Sequence, residues 1–256
     1  VVLKYRKPGV SAWVQLTKIL SRSLRFKNIN SVVLSFDKDS SQKMLDRTLW
    51  TLDHLPKPFQ VHLDRESKNE VAIRETNSKI YVGTPGSKAF GRGSDIDILH
   101  ASEFGFWENA AVMSGLMEAL TNHPFVVVES TANGPMNDFA KLYRKAAAGG
   151  SAWKSFFYPW WSDPSLEREL PLYFVHSEEE KDLLVKYPKM TDRKLAWRRW
   201  KLSTMERPEL FPQEYPASAE EAFIVMGDCV FNLRALSNYD KLVRYADHTG
   251  YLSMQA

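Results

Sequence analysis

The chain has 256 residues, 44% hydrophobic and 25% charged, which is ordinary for a globular protein and enough for a large core in one domain or in a domain with a smaller partner. It has no apolar run long enough to span a membrane and no secretory signal pattern, and its one cysteine, Cys229, excludes an internal disulfide and makes a Cys/His zinc cluster unexpected. The net charge of +3 permits nucleic-acid binding without announcing it. Val1 already stands in a strand pattern, so the chain reads as part of a longer protein.

The run Val1-Val2-Leu3 is apolar and β-like. It passes through a basic loop with a Pro8-Gly9 break into a helical pattern, with Trp13, Leu16, Ile19, Leu20 and Leu24 at i, i+3 and i+4 spacings. Strand, glycine turn and helix is a layout that holds phosphate, because turn N–H groups and the positive end of the helix face the anion together. Ser11 stands where a hydroxyl reaches a nucleotide-bound Mg²⁺. The pattern departs from the usual G-x-x-x-x-G-K-S/T: Val10 occupies the lysine position, the first glycine is absent, and a lysine stands at the start of the loop, as Lys4-x-x-x-x-Gly9-x-Ser11. By itself the stretch also reads as a basic turn before a surface helix.

Next come a buried-strand run, Ser31 to Phe36, a polar turn from Asp37 to Ser41, and a predicted helix from Gln42 to Leu55. Glu70 to Ile73 and Lys79 to Gly83 are strand-like. A glycine- and charge-rich connection, Gly83 to Asp97, leads to the short apolar strand Ile98 to Ala101 and to Ser102-Glu103. Ala110 to Asn122 reads as helix, Phe125 to Val128 as a strand entering Glu129-Ser130-Thr131-Ala132-Asn133-Gly134, and Asn137 to Ala148 as helix. Alternating helices and continuous apolar strands predict an α/β fold with a mainly parallel sheet covered on both faces. Ligands collect at the carboxyl ends of such strands. Three of those ends carry Lys4 to Ser11, Ser102-Glu103 and Ser130 to Gly134, the arrangement of a P-loop NTPase core over residues 1–150. From residue 151 the texture turns aromatic and helical. Ser177 to Glu180 and Ser218 to Glu221 have capping-box form, and residues 151–256 read as a smaller, mostly helical lid or linker subdomain.

Glu103 is a candidate general base for an attacking water. The usual second motif ends Asp-Glu, and here Ser102 replaces the Asp; a hydroxyl there holds a metal-bound water more weakly than a carboxylate. Glu103 also reads as a solvated strand-end acid, and Asn133-Gly134 as a plain turn.

Taken together, the variant phosphate loop, the Ser-Glu ending and Glu129-Ser130-Thr131-Ala132-Asn133-Gly134 resemble the ATPase part of the large terminase subunit of tailed bacteriophages. So do Phe90-Gly91-Arg92-Gly93 and the segment Phe211-Pro212-Gln213-Glu214-Tyr215-Pro216 with Glu220-Glu221-Ala222-Phe223. The resemblance spans Val1 to about Phe231. It implies an ASCE-type P-loop core with a lid, and ATP and Mg²⁺ as cofactors. Lys4, Arg6, Gly9, Val10 and Ser11 would bind nucleotide, Ser11 and Ser102 would serve the metal, and Glu103 would be the catalytic base. Arg6 would sense the γ-phosphate in cis, Arg92 would be a finger acting in a neighbouring subunit, and Ser130, Thr131 and Asn133 would couple hydrolysis to movement. The implied work is translocation of double-stranded DNA into a procapsid in the host cytoplasm. It would be done by a homo-oligomeric ring docked on the portal protein and served by the small terminase subunit. The family's adenine-contacting segment would precede Val1 and its nuclease domain would follow residue 256. This stretch alone is therefore expected to hydrolyse ATP weakly and not to cut DNA. Lys194, Arg198 and Lys201, at i, i+4 and i+7, read as a basic lid-helix face, either solvated or touching DNA. A helicase-like ATPase of another family and a degenerate DNA- or portal-binding module are the alternatives.

Overall fold

The apolar runs spaced between polar turns become the strands of one sheet. The protein is described by a computed structural model over residues 1–86 and 95–223. Among these residues the strands are β1 (Val2–Lys4), β2 (Asn30–Leu34), β3 (Leu63–Glu66), β4 (Glu70–Ile73), β5 (Ser78–Gly83), β6 (Ile96–Ser102), β7 (Leu120–Ser130) and β8 (Phe156–Tyr158). Their order across the sheet is β3-β4-β5-β2-β6-β7-β1-β8. All neighbours from β5 to β8 are parallel, and β3, β4 and β5 form an antiparallel margin. β7 lies between β1 and β6, so the ends of the three chemically loaded strands are adjacent, as expected of an ASCE-type P-loop core.

Side chains alternate across the pleat. Leu3, Leu34, Leu99, Ala101 and Val128 pack on one face against Phe139, Ala140 and Tyr143 of the helix Asp138–Ala147. Val2, Val33, Ile98 and Val127 pack on the other against Val14, Ile19, Met44 and Leu45. Both faces are covered, which is why the central strands read as unbroken apolar runs.

Three helices differ from the sequence reading. The first helix runs through Val10–Trp13, Val14–Leu20 and Ser21–Arg25, and its middle is π-helical. A π turn holds more residues than an α turn and rotates the helical segments on its two sides relative to each other. Trp13 is therefore 52% exposed while Val14, Ile19 and Leu20 are buried. The second helix begins at Lys38, four residues early, because Asp37 caps it by accepting from the Ser40 N–H at 2.6 Å. The third covers only Val112–Glu118, because β7 already starts at Leu120, paired with Ile96. Pro124, which has no N–H to give, lies in the stretch of β7 where the ladder with β6 shifts register.

β8 adds a parallel strand beside β1, and beyond it the described chain is helical and irregular. Trp160, Met190, Leu195, Trp197, Phe211 and Ala217 form a separate apolar cluster that also takes in Tyr5 from the turn after β1. Trp160 is fully buried and stacks on Trp197 at 5.2 Å between ring centroids. Ser177 and Glu180 make both bonds of a capping box at the start of the helix Glu178–Lys186. No described helix is long and apolar enough to cross a membrane.

Candidate active site

β1 ends at Lys4, and the chain turns through Gly9, whose φ of 81° is a left-handed conformation costly for residues with a Cβ. The Gly9 carbonyl accepts from the Trp13 N–H at 2.9 Å and opens the helix. The Lys4 side chain does not fold over the loop. It is 3% exposed, and Nζ lies 2.8 Å from Glu103 Oε1 and 3.2 Å from Glu129 Oε2. Burial alone would lower the Lys4 pKa, but the carboxylates of Glu129 and Glu103 outweigh it and hold the pKa raised.

Glu103 stands after β6 with φ 53°, a left-handed conformation costing a non-glycine residue about 1–2 kcal/mol. Such strain persists where the surroundings fix it, and it concentrates at functional positions. Here it turns the carboxylate back toward β1. Glu103 Oε2 also accepts from the Thr131 N–H at 3.4 Å and from Ser130 Oγ at 3.5 Å. Burial pushes its pKa up, Lys4 opposes this, and the Glu129 charge adds to it; the net direction is upward.

Glu129, the last residue before Ser130 on β7, is completely buried. Its Oε1 accepts from Ser11 Oγ at 2.6 Å and Ser102 Oγ at 2.7 Å, and His100 Nε2 lies 3.3 Å away. Burial works to raise its pKa, but the Lys4 charge and the bonds from His100 and Ser11 bring it well below the usual carboxylate range. Two carboxylates thus share one lysine.

The segment after β7 braces the turn after Glu103. The Gly105 N–H donates to Ser130 Oγ at 3.1 Å, and Asn133 Nδ2 donates to the Gly105 carbonyl at 2.9 Å. A Cβ on Gly105 would stand 2.9 Å from Ser130 Oγ and 3.2 Å from the Thr131 carbonyl oxygen, so only glycine fits this contact.

Lys4, Ser11, Ser102, Glu103, Ser130 and Thr131 therefore meet at the carboxyl ends of β1, β6 and β7. Gly9 and Val10 shape the loop, and Val10 packs against the apolar core. Asn133 reaches the Gly105 turn rather than the loop. Arg6 points away: Nη1 pairs with Glu214 Oε2 at 2.8 Å, and its N–H donates to the Glu214 carbonyl at 2.8 Å. This links the turn after β1 to the Gln213-Glu214-Tyr215-Pro216 segment. Arg92 lies outside the described residues. Of the basic lid helix, Lys194 and Arg198 are buried. Lys194 Nζ pairs with Glu167 at 3.5 Å, Arg198 pairs with Glu179 at 2.7 Å, and Lys201 Nζ lies 5.5 Å from the Tyr215 ring. Lys194 and Arg198 are thus buried and held in ion pairs, not on a solvated face. Sequence reasoning gave no role to Glu129 or His100; the available signal was an acidic residue closing an otherwise apolar buried strand.

The donors Ser11, Ser102, Glu103 and Glu129 offer only oxygens, which suits Mg²⁺. Among the described residues no three His, Cys, Asp or Glu side chains are grouped to hold a metal alone.

No protein-family model matches the sequence, and no curated protein matches it. Solved structures do. The large terminase ATPase domain of Thermus phage P74-26 aligns with TM-score 0.54 at 15% identity, over 85% of this chain and 87% of that one. The HK97 bacteriophage large terminase aligns with TM-score 0.58 at 13% identity, over 84% of this chain and 45% of that one. The chain has the α/β P-loop fold of phage large-terminase ATPase domains.

Proposed function

We propose that this chain is an ATP-hydrolysing motor domain of the large-terminase type, which drives double-stranded DNA into a procapsid. The observation that carries the reading is the Lys4–Glu103 contact at the mouth of a glycine turn. Two ends of separate strands are brought together, one with the cation a triphosphate needs and one with the base a hydrolytic water needs. In this contact each neutralises the other.

Binding of a triphosphate would offer Lys4 stronger anionic partners at the turn. As its ammonium moves to the phosphate oxygens, Glu103 loses its counter-charge and is free to accept a proton from water, a contribution of about 10²–10⁴-fold in rate. Mg²⁺, when bound, neutralises charge on the phosphates; the Ser11 and Ser102 hydroxyls would hold it or its waters. Ser130 and Thr131 touch the same Glu103 oxygen, so a change at Glu103 is felt in the segment leading to the helix Asp138–Ala147. This is the coupling role proposed for Ser130, Thr131 and Asn133. Arg6 would leave Glu214 for the γ-phosphate, and that exchange would move the lid segment. Arg92 would serve a neighbouring subunit in a ring on the portal protein, with the small terminase subunit as a further partner in the host cytoplasm.

The test is phosphate release from ATP, with and without double-stranded DNA, alongside binding of a fluorescent ATP analogue. Glu103→Gln is expected to bind nucleotide and to turn over about 10²–10⁴-fold more slowly. Near-normal turnover in Glu103→Gln removes Glu103 as the base. Absence of nucleotide binding by the unmodified protein, with DNA binding retained, favours the non-catalytic module.

A further inference from the structure

The second motif lacks its usual acid: Ser102 stands where a carboxylate is expected, and a hydroxyl alone is a poor anchor for a divalent cation. The neighbouring strand makes up the deficit. β6 and β7 are parallel with Ser102 opposite Glu129 in the ladder, and Glu129 extends into the space between the two motifs. A single oxygen, Oε1, accepts from the hydroxyl of each: Ser11 at 2.6 Å and Ser102 at 2.7 Å. We propose that Glu129 supplies, from β7, the carboxylate missing at Ser102 and acts as a positioning residue for a nucleotide-bound Mg²⁺, holding Ser11 in the orientation the metal needs. The proposal rests on the reading of the site as a nucleotide site.

By accepting the Ser11 proton, Glu129 leaves the hydroxyl's lone pairs facing away from itself, toward the mouth of the loop. A hydroxyl without such an acceptor can rotate its proton toward the cation and lose the contact. Orientation of a ligand by an outer carboxylate is a general feature of metal sites. Charge supports the same role. Glu129 and Glu103 bring two negative charges against the one positive charge of Lys4, so a cation entering with a nucleotide meets a net negative site. Glu129 Oε2 has no hydrogen-bond partner, although Lys4 Nζ stands 3.2 Å from it. A fully buried carboxylate is costly compared with a well-packed apolar side chain of similar volume. Counter-charge for Lys4 is the simpler role for Glu129, but that role requires neither serine bond.

The test reads metal dependence rather than turnover. A fluorescent ATP analogue is titrated in EDTA and over a range of Mg²⁺ concentrations into the unmodified protein, Glu129→Gln, and the relocated pair Ser102→Asp/Glu129→Gln; thermal melts confirm folding. Measured against each variant's own binding in EDTA, the Mg²⁺ midpoint of Glu129→Gln should weaken about 10–100-fold. The relocated pair, with its carboxylate back on β6, should recover most of that loss. An unchanged Mg²⁺ midpoint in Glu129→Gln overturns the proposal and leaves Glu129 as a partner of Lys4 only. A folded relocated pair that recovers nothing also overturns it. Should Glu129→Gln alone fail to fold, the relocated pair decides by whether its midpoint matches that of the unmodified protein. If the unmodified protein binds no nucleotide under any condition, the underlying reading of the site has failed instead.

Discussion

Replacing Lys4 with Met keeps most of the side-chain volume and removes the one cation between Glu103 and Glu129. Removing one partner of a buried ion pair costs about 3–5 kcal/mol. The structure sets a second bound, because a carboxyl left without its cation can take up a proton. Holding one glutamate neutral at pH 7, from an ordinary pKa of about 4.3, costs about 3.7 kcal/mol at about 1.36 kcal/mol per pH unit. At pH 5 the same protonation costs about 1 kcal/mol. Lys4→Met should therefore lose about 3–4 kcal/mol at pH 7 and about 1 kcal/mol at pH 5. The sign is that of a raised carboxyl pKa: stability is present at low pH and lost as pH rises. In the unmodified protein the Glu129 contribution runs the other way, since Glu129 is held below its ordinary range and its contribution disappears as pH falls. For a chain of this size the loss at pH 7 corresponds to about 6–16 °C in Tm. Thermal and urea unfolding at both pH values measure it. The pair Lys4→Met/Glu129→Gln leaves only Glu103, whose side chain is 26% exposed and reaches water, and it should regain most of the stability. A Lys4→Met protein as stable as the parent at pH 7, or a loss that does not change with pH, refutes the shared-lysine account.

The same contacts set three further outcomes. Gly105→Ala forces a methyl against Ser130 Oγ and the Thr131 carbonyl and should cost about 1–3 kcal/mol. It should also slow hydrolysis with nucleotide binding retained, measured by thermal melts and phosphate release; an unaltered melt and rate would show that the turn has room. Arg6→Ala removes an ion pair whose arginine is exposed and whose Glu214 carboxylate is 14% exposed, worth about 1 kcal/mol, so Tm should move little while ATP hydrolysis falls; parallel melting and turnover assays separate these, and undiminished turnover rules out the sensor role. Arg92→Ala, if it removes a trans-acting finger, should lower turnover of assembled rings by about 10³–10⁵-fold. Rings mixed from Arg92→Ala and Glu103→Gln subunits should regain part of it, and rings that assemble but never regain activity exclude the trans role.

The sheet was legible because its central strands are buried on both faces and appear as plain apolar runs, with the glycine turn marking the end of β1. Lys4, Ser11, Ser102, Glu103 and Ser130, which the fold brings together, each stood out in the sequence beside a turn or a strand end. What the sequence concealed is non-local. Glu129 becomes part of the site only because β7 lies between β1 and β6, in a register that sets it opposite Ser102. Lys194 and Arg198 looked like surface charges at helical spacing, and they are buried because Glu167 and Glu179 reach them from other segments. The three residues of β8 belong to an aromatic stretch whose composition suggested the lid, and their pairing with β1 is invisible in one dimension. The π-helical middle of the first helix broke the one periodicity that pointed Trp13 inward.

The central claim is that Lys4, not a lysine at the position held by Val10, binds the phosphates and in doing so releases Glu103. A structure with Mg²⁺ and a slowly hydrolysed ATP analogue tests this most directly. The expected result is Lys4 Nζ within hydrogen-bond distance of a phosphate oxygen, separated from Glu103, with the Glu103 carboxylate facing the terminal phosphate. An analogue bound elsewhere, or bound at the glycine turn with the 2.8 Å Lys4–Glu103 contact intact, would contradict the account.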